Sequence, residues 1–158
     1  MTVRRAVEED DAPLLAIERS AWDASSGFPS YLDTLQDTFF SRSGPEAHLV
    51  AEYEGAVVGY LRLQDKYQFP EGAGVLAING LAVARDARRL GVASALLDAA
   101  SAEGRLRGAR KITLHVHSTN AAARRLYERH GYVLEGTHPD EFLIEGNYIA
   151  ALDMAKTL

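Results

Sequence analysis

Cysteine is absent from this 158-residue chain, which removes disulfide scaffolds, thiolate zinc sites and cysteine nucleophiles together. Long apolar runs are absent as well. The stretch Ala56 to Leu61 is short and contains Gly59, far from the roughly 18 residues that cross a bilayer, so no membrane partner is expected. The first residues, MTVRRAVEEDD, carry two arginines with no apolar segment behind them, so the sequence predicts neither a secretory signal nor an anchor, and a cytoplasmic protein. An overall excess of positive charge is missing too. With 17 Lys and Arg against 22 Asp and Glu the net charge is −5, and no general affinity for nucleic acid is expected. No internal repeat, low-complexity tract or linker-like run breaks the chain. What remains, 47% hydrophobic and 25% charged residues, has enough apolar side chain for a real core, and one domain over residues 1–158 is expected.

The charge is unevenly spread. Between Arg85 and Arg129 there are ten Lys and Arg against Asp86, Asp98, Glu103 and Glu128, a local balance of +6, whereas residues 1–54 carry −7. Most of these charges fit solvated helix faces, yet the pattern also fits a cationic site for an anionic ligand beside an acidic region suited to a cationic one.

Periodicity gives the element order. Thr2 to Val7 predicts a first strand, and Asp10, Asp11 and Pro13 start a helix in which Leu14, Ile17 and Ala21 share a face, ending near Trp22. Pro29 predicts a second helix with Leu32, Leu35 and Phe39 on one side, stopped by Ser43, Gly44 and Pro45. His48 to Tyr53 and Val57 to Leu63 flank a Gly55 turn as a hairpin. Val75 to Val83 is a further strand, followed by the loop Arg85 to Gly91 and a helix from Val92 to about Gly108. Ile112, Leu114 and Val116 alternate with Thr113, His115 and His117, as in a two-faced strand. Asn120 to His130 is helical, and Tyr132 to Thr137 and Tyr148 to Lys156 end the chain as strands. This order predicts an α/β fold of the α+β type, a mixed sheet with about four helices packed on it. The stretch from Val75 to Val116 is long enough for a parallel crossover.

Three groups of residues carry chemistry. Arg88, Arg89, Leu90, Gly91, Val92 and Ala93 lie between a strand and a helix. A helix start offers unpaired N–H groups and a positive dipole end, and Gly91 and Ala93 leave the backbone open to a close approach by phosphate. Alone, the string also fits a surface loop ending in a helix-starting glycine. Asn120 and Tyr127 are seven residues apart, nearly two helical turns, so their side chains face one groove about 10 Å apart along the axis; capping and core packing explain the same pair equally well. His115 and His117 project from one strand face, where an imidazole suits a general base at neutral pH or a satisfied, half-buried histidine. Two histidines without a third ligand at suggestive spacing do not make a metal site, and none is expected. Gly72 to Ala77 mimics a dinucleotide fingerprint but leads into a strand instead of following one, and reads as a turn.

Taken together these residues resemble the GNAT superfamily of acetyl-CoA-dependent N-acetyltransferases. INGLAVARDARRLGVASALL resembles the family's strand, pyrophosphate loop and helix, and LHVHSTNAAARRLYERHGY its second signature. The resemblance implies a splayed sheet whose parting strands admit the pantetheine arm of acetyl-CoA. It implies that the backbone of Leu81, Ala82 and Val83 binds that arm and polarises the thioester carbonyl. It also implies that Arg88 and the amides of Arg89, Leu90, Gly91, Val92, Ala93 and Ser94 hold the diphosphate, that Asn120 contacts the cofactor, and that Tyr127 protonates or hydrogen-bonds the departing thiolate. His115 stands where relatives that modify protein N-termini have a glutamate, which makes it the candidate base, with a water chain as the competitor. Trp22, Phe28, Tyr31, Tyr67, Phe69, His138, Asp140, Glu141 and Tyr148 lie in segments that set substrate choice in the family, and carboxylates with aromatics suit a cationic amine, the primary amine of a small molecule or of a peptide or protein N-terminus. The resemblance allows a homodimer. A non-catalytic acyl-CoA-binding module is the alternative reading, and a nucleic-acid protein using Arg124, Arg125 and Arg129 a weaker one.

Overall fold

In the computed structural model, which describes residues 1–158, seven strands form: β1 (Thr2–Arg5), β2 (His48–Tyr53), β3 (Ala56–Asp65), β4 (Val75–Val83), β5 (Lys111–His117), β6 (Val133–Ile144) and β7 (Asn147–Thr157). Three α-helices accompany them, α1 (Asp11–Ala21), α2 (Val92–Leu106) and α3 (Ala121–Arg129), with a six-residue 3-10 helix over Pro29–Thr34. All seven strands join one sheet in the order β1-β2-β3-β4-β5-β7-β6. Every neighbouring pair is antiparallel except β4 and β5, which run parallel and are connected through α2. The mixed sheet with its helices is the architecture that the sequence predicts.

The two faces of the sheet carry separate cores. Along β3, Leu61 and Leu63 pack with α2 residues Val92, Leu96, Leu97 and Ala100, joined by Ile112, Leu114 and Tyr127. Tyr60 and β4 Ala82 pack on the other face with Leu14, Leu15, Ile17 and Ala21 of α1. The β alternation therefore assigns α1 to one face and α2 to the other. Fully burying a leucine such as Leu96 or Leu14 contributes about 1.5–3 kcal/mol, so these stripes fix the helices to the sheet.

Two elements differ from the sequence-based expectation. The helix expected from Pro29 to Phe39 is only the 3-10 helix, after which Leu35 is extended at φ −64° and ψ 131°. The cause is long-range: the Asp11 carboxylate at the start of α1 accepts from the Phe39 and Phe40 amides at 3.1 and 2.9 Å. Phe39 then turns in to pack on Tyr60, while Leu32 is left exposed with no surface to bury against. The sixth strand does not stop at Thr137. It continues to Ile144 through a register shift between His138 and Phe142, which lets an edge strand contain Pro139 and hold Asp140 at φ +50°.

Candidate active site

The opening that defines the site begins in strand pairing. β4 and β5 pair only where Val75–Ile78 meet Lys111–Leu114. On the other side of β4 the register with β3 shifts, Leu63 facing Ile78 and Arg62 facing Gly80, so Asn79 is an extra residue. A bulge bends its strand, and from Asn79 to Val83 β4 stays with β3 but leaves β5. The backbone groups of this segment that point toward β5 have no strand partner, and the gap opens into a cavity of about 1280 Å³. Its lining comes from both faces of the sheet: Gly91, Val92 and Tyr127 on the α2 side, Glu18, Trp22 and Tyr60 on the α1 side. A molecule can thus reach through the sheet from one core side to the other.

Leu81, Ala82 and Val83 line this gap. At its α2 end, Arg89 and Gly91 take the left-handed conformation at φ +66° and +77°, and Gly91 caps α2 without any side-chain hydrogen bond. A Cβ added at Gly91 would meet no atom within 4 Å, so the first amides of α2 look onto open space at the positive end of a 15-residue helix. Arg89, Val92, Ala93 and Ser94 line the cavity with Gly91, whereas the Leu90 side chain points to solvent and has only its backbone to offer. Arg88 also lines it, but one guanidinium nitrogen donates to the Ala21 carbonyl at 2.8 Å, and Arg85 donates to that of Ser20 at 2.5 Å. Both arginines thus tie the loop to the last turn of α1, satisfying carbonyls that a helix end leaves free.

Asn120 caps α3, its side-chain oxygen accepting from the Ala123 amide at 3.2 Å, and it lines the cavity together with Tyr127. The Tyr127 ring packs in the core beside Tyr132, 5.9 Å between centroids. Burial pushes its phenol up to about 12, which keeps the proton on through neutral pH. Capping, packing and cavity lining coexist in this pair.

His115 and His117 differ in surroundings. His117 is buried against Phe28 and Phe142, its Nδ1 sealed without a partner and its basicity lowered by burial. His115 is exposed at the cavity edge, and its Nδ1 lies 2.5 Å from Oδ1 of Asp153, the residue opposite it on β7. His138 of β6 donates from Nε2 to the other oxygen of Asp153 at 2.8 Å. Partial burial alone would push Asp153 up, but hydrogen bonds from His138 and His115 outweigh it and hold the carboxyl low. The same Asp153 hydrogen bond raises His138. No protein group occupies His115 Nε2, the nitrogen left to act as acceptor when Nδ1 carries the proton.

Sequence reasoning missed two carboxylates of the site, Glu18 and Asp153. Glu18 is buried in the cavity wall, where Trp22 Nε1 and the Tyr60 hydroxyl both donate to its carboxylate. The available signal was a carboxylate at Leu14 + 4 and Trp22 − 4, on the apolar stripe of its helix. Asp153 was missed because its partners come from β5 and β6, more than a dozen residues away in either case. Of the aromatic and acidic residues proposed for substrate choice, Trp22, Phe28, Tyr31, His138 and Glu141 line the cavity. Tyr67 and Phe69 instead pack on each other, 5.2 Å between centroids, and Tyr148 lines a separate smaller pocket.

One neighbour of this chamber has a testable charge state. His48 hydrogen-bonds the Gly44 carbonyl through Nδ1 and accepts from Arg62 Nε at 3.0 Å through Nε2. A ring that accepts from a guanidinium must be neutral, and burial drives its pKa down to about 4. Protonation then favours the unfolded chain, whose histidine titrates near 6.5, so stability should fall as pH drops from about 6.5 toward 4 and level off below. An NMR titration of the His48 ring should show its midpoint near 4; a midpoint near 6.5 would remove this contribution.

Comparison with known proteins agrees with this geometry. The model of the acetyltransferase (GNAT) family matches residues 14–132. A 72-residue stretch is 36% identical to GCN5-related N-acetyltransferase 6, chloroplastic, of Arabidopsis thaliana, covering 46% of this chain and 25% of that protein. The 5-NmdU N-acetyltransferase of Pseudomonas phage PaMx11 is 25% identical over 136 residues, 86% of this chain and 89% of the phage protein. Among solved structures, that of yncA from Salmonella typhimurium with its cofactor acetyl-CoA superposes with a TM-score of 0.83 at 24% identity, covering 100% of this chain and 94% of that one.

Proposed function

Since the chain belongs to the GNAT acetyltransferase family, we propose that it is an acetyl-CoA-dependent N-acetyltransferase acting on a primary amine of a small molecule or peptide. The observation that carries this reading is the parting of β4 from β5 beside an anion cradle free of side chains, at Gly91. The residues present fit the cosubstrate. Amides of Arg89 to Ser94 would hold the diphosphate, each charge-assisted hydrogen bond contributing about 1.5–3 kcal/mol. The unpaired β4 groups of Leu81 to Val83 would bind the pantetheine arm as an added strand and offer an N–H to the thioester oxygen. Bound there, acetyl-CoA supplies an acetyl group activated as a thioester; transfer forms a C–N bond as the C–S bond breaks.

Protein groups then have two protons to manage. His115 Nε2 accepts the proton released by the attacking amine, with Asp153 holding Nδ1–H so that Nε2 keeps its lone pair. Tyr127 gives its proton to the departing sulfur and recovers one through solvent, so the net movement is from nitrogen to sulfur. Asp153 is a positioning residue, since it acts only through His115.

A thiol-release screen of primary amines with acetyl-CoA tests the reading: thiol release with at least one amine is expected, and tight coenzyme A binding without release across the panel would make the protein a binding module. Replacing His115 by alanine should lower kcat about 100-fold, with partial recovery on adding free imidazole and no change in coenzyme A affinity. An unaltered kcat would transfer the role to water.

A further inference from the structure

The α1 side of the cavity contains charges that the fold leaves unmatched. Glu18 is only 3% exposed, and its neighbours are neutral donors: Trp22 Nε1, the Tyr60 hydroxyl and, nearby, Tyr31. Arg62 and Arg42 line the same cavity. None of the three appears in any ion pair of the molecule, although the other clusters pair readily, as Arg4 does with Asp10 and Glu52. A buried carboxylate without a cation is costly, and a fold that retains one in a cavity wall has left a place for a positive group.

The arginines supply the complementary half. Arg62 stands two residues from Tyr60 on the same face of β3, and its Nε is spent on His48, which leaves the fork of terminal nitrogens. Glu18 and Arg62 lie close enough that both bear on the Tyr60 phenol, with opposite effect. Their position in the cavity is equally defined. Tyr60 and Arg62 face Ala82 and Gly80 in the β3–β4 register, and a Cβ on Gly80 would lie 3.5 Å from the Tyr60 hydroxyl. The negative and positive groups thus sit one behind the other against the part of β4 that has parted from β5, on the face opposite the anion cradle.

We propose that this chamber is a receptor for a zwitterion, with Glu18 taking the ammonium of the acceptor and Arg62 a carboxylate on the same molecule, so that the acceptor class is the free amino acid and not a protein N-terminus. The assignment rests on the N-acetyltransferase reading for what happens to the amine, but the receptor itself can be tested by binding alone. Glu18 holds the nitrogen on the α1 face of the gap while the diphosphate is held on the other; the bound ammonium first releases one proton to solvent through the open cavity to become the neutral amine, and the proton lost on attack then passes to His115 Nε2.

The test compares the twenty proteinogenic L-amino acids with their α-carboxamides as acceptors in the thiol-release assay, using the full-length protein. At least one free acid should exceed its amide by about tenfold to 100-fold in kcat/KM, the range set by one lost charged hydrogen bond. Arg62→Gln should raise KM for the acid and not for the amide; Glu18→Gln, which keeps size and an acceptor oxygen, should raise KM for both about tenfold with the acetyl-CoA KM unchanged. Amides or peptide N-termini used as well as the acids would overturn the receptor and leave acetyl transfer standing; this comparison needs only the unaltered protein, whatever the variants do to folding. If no amine releases thiol, calorimetric titration of the same amino acids in the presence of coenzyme A separates the two claims. Binding that Glu18→Gln weakens supports the receptor while the transferase reading fails, and absence of binding overturns the receptor.

Discussion

Gly91→Val should weaken coenzyme A binding by about 100-fold or more in a calorimetric titration. Gly91 stands at φ +77°, and an L-residue there costs about 1–2 kcal/mol of fold stability in the free and bound protein alike, with a β-branched side chain at the upper end. The effect on binding is steric. The Cβ would enter the space above the first amides of α2 that is free of atoms for 4 Å, and a phosphate kept from that approach forfeits one or two charged hydrogen bonds of about 1.5–3 kcal/mol each. Gly91→Ala should fall between the two. A Gly91→Val protein that remains folded and binds coenzyme A as tightly as the unaltered chain would show that the anion is held elsewhere.

Tyr127→Phe should lower kcat by about 100- to 1,000-fold, the usual range for losing one positioned proton donor. The ring stays, so its packing against Tyr132 and the rest of the core is retained, and neither thermal stability nor the Kd for coenzyme A should move appreciably. Burial raises the phenol to about 12, so it carries its proton at neutral pH and can hydrogen-bond or protonate the sulfur as charge develops there. In stopped-flow single turnover the defect should appear in the acetyl-transfer step and not in cosubstrate binding. An unchanged kcat with a poorer Kd would turn Tyr127 into a binding residue.

The sequence reveals much of this architecture where local rules act alone. The alternation of Ile112, Leu114 and Val116 and the stripe Val92, Leu96, Ala100 each meet the partner surface that their period implies. The loop at Gly91 is not readable alone, since the string also fits a surface loop; its order ahead of the Asn120 and Tyr127 signature is what points to a phosphate loop. What the sequence conceals depends on contacts between distant segments. Phe39 was assigned to a helix face because the capture of its amide by Asp11, 28 residues earlier, leaves no local trace. The bulge at Asn79 is likewise invisible in a run as regular as Val75 to Val83, yet it bends β4 away from β5 and makes the cavity. His115 could be nominated from its position; its partner Asp153 and the His138 that shares it required the order β5-β7-β6 to be known. Glu18 carries a local signal, four residues from both Leu14 and Trp22 on the apolar stripe of its helix, but its donors Trp22 and Tyr60 are brought to it by the packing of α1 on β3.

The central claim is that the gap between β4 and β5 and the first turn of α2 form one continuous binding track for coenzyme A. Backbone amide NMR during a coenzyme A titration tests it most directly, since it reads the donors themselves. The account predicts the largest shifts at Leu81 to Val83 and at Arg89 to Ser94, moving together with one saturation curve. Shifts confined to other surfaces, or no shifts at saturating ligand, would contradict it.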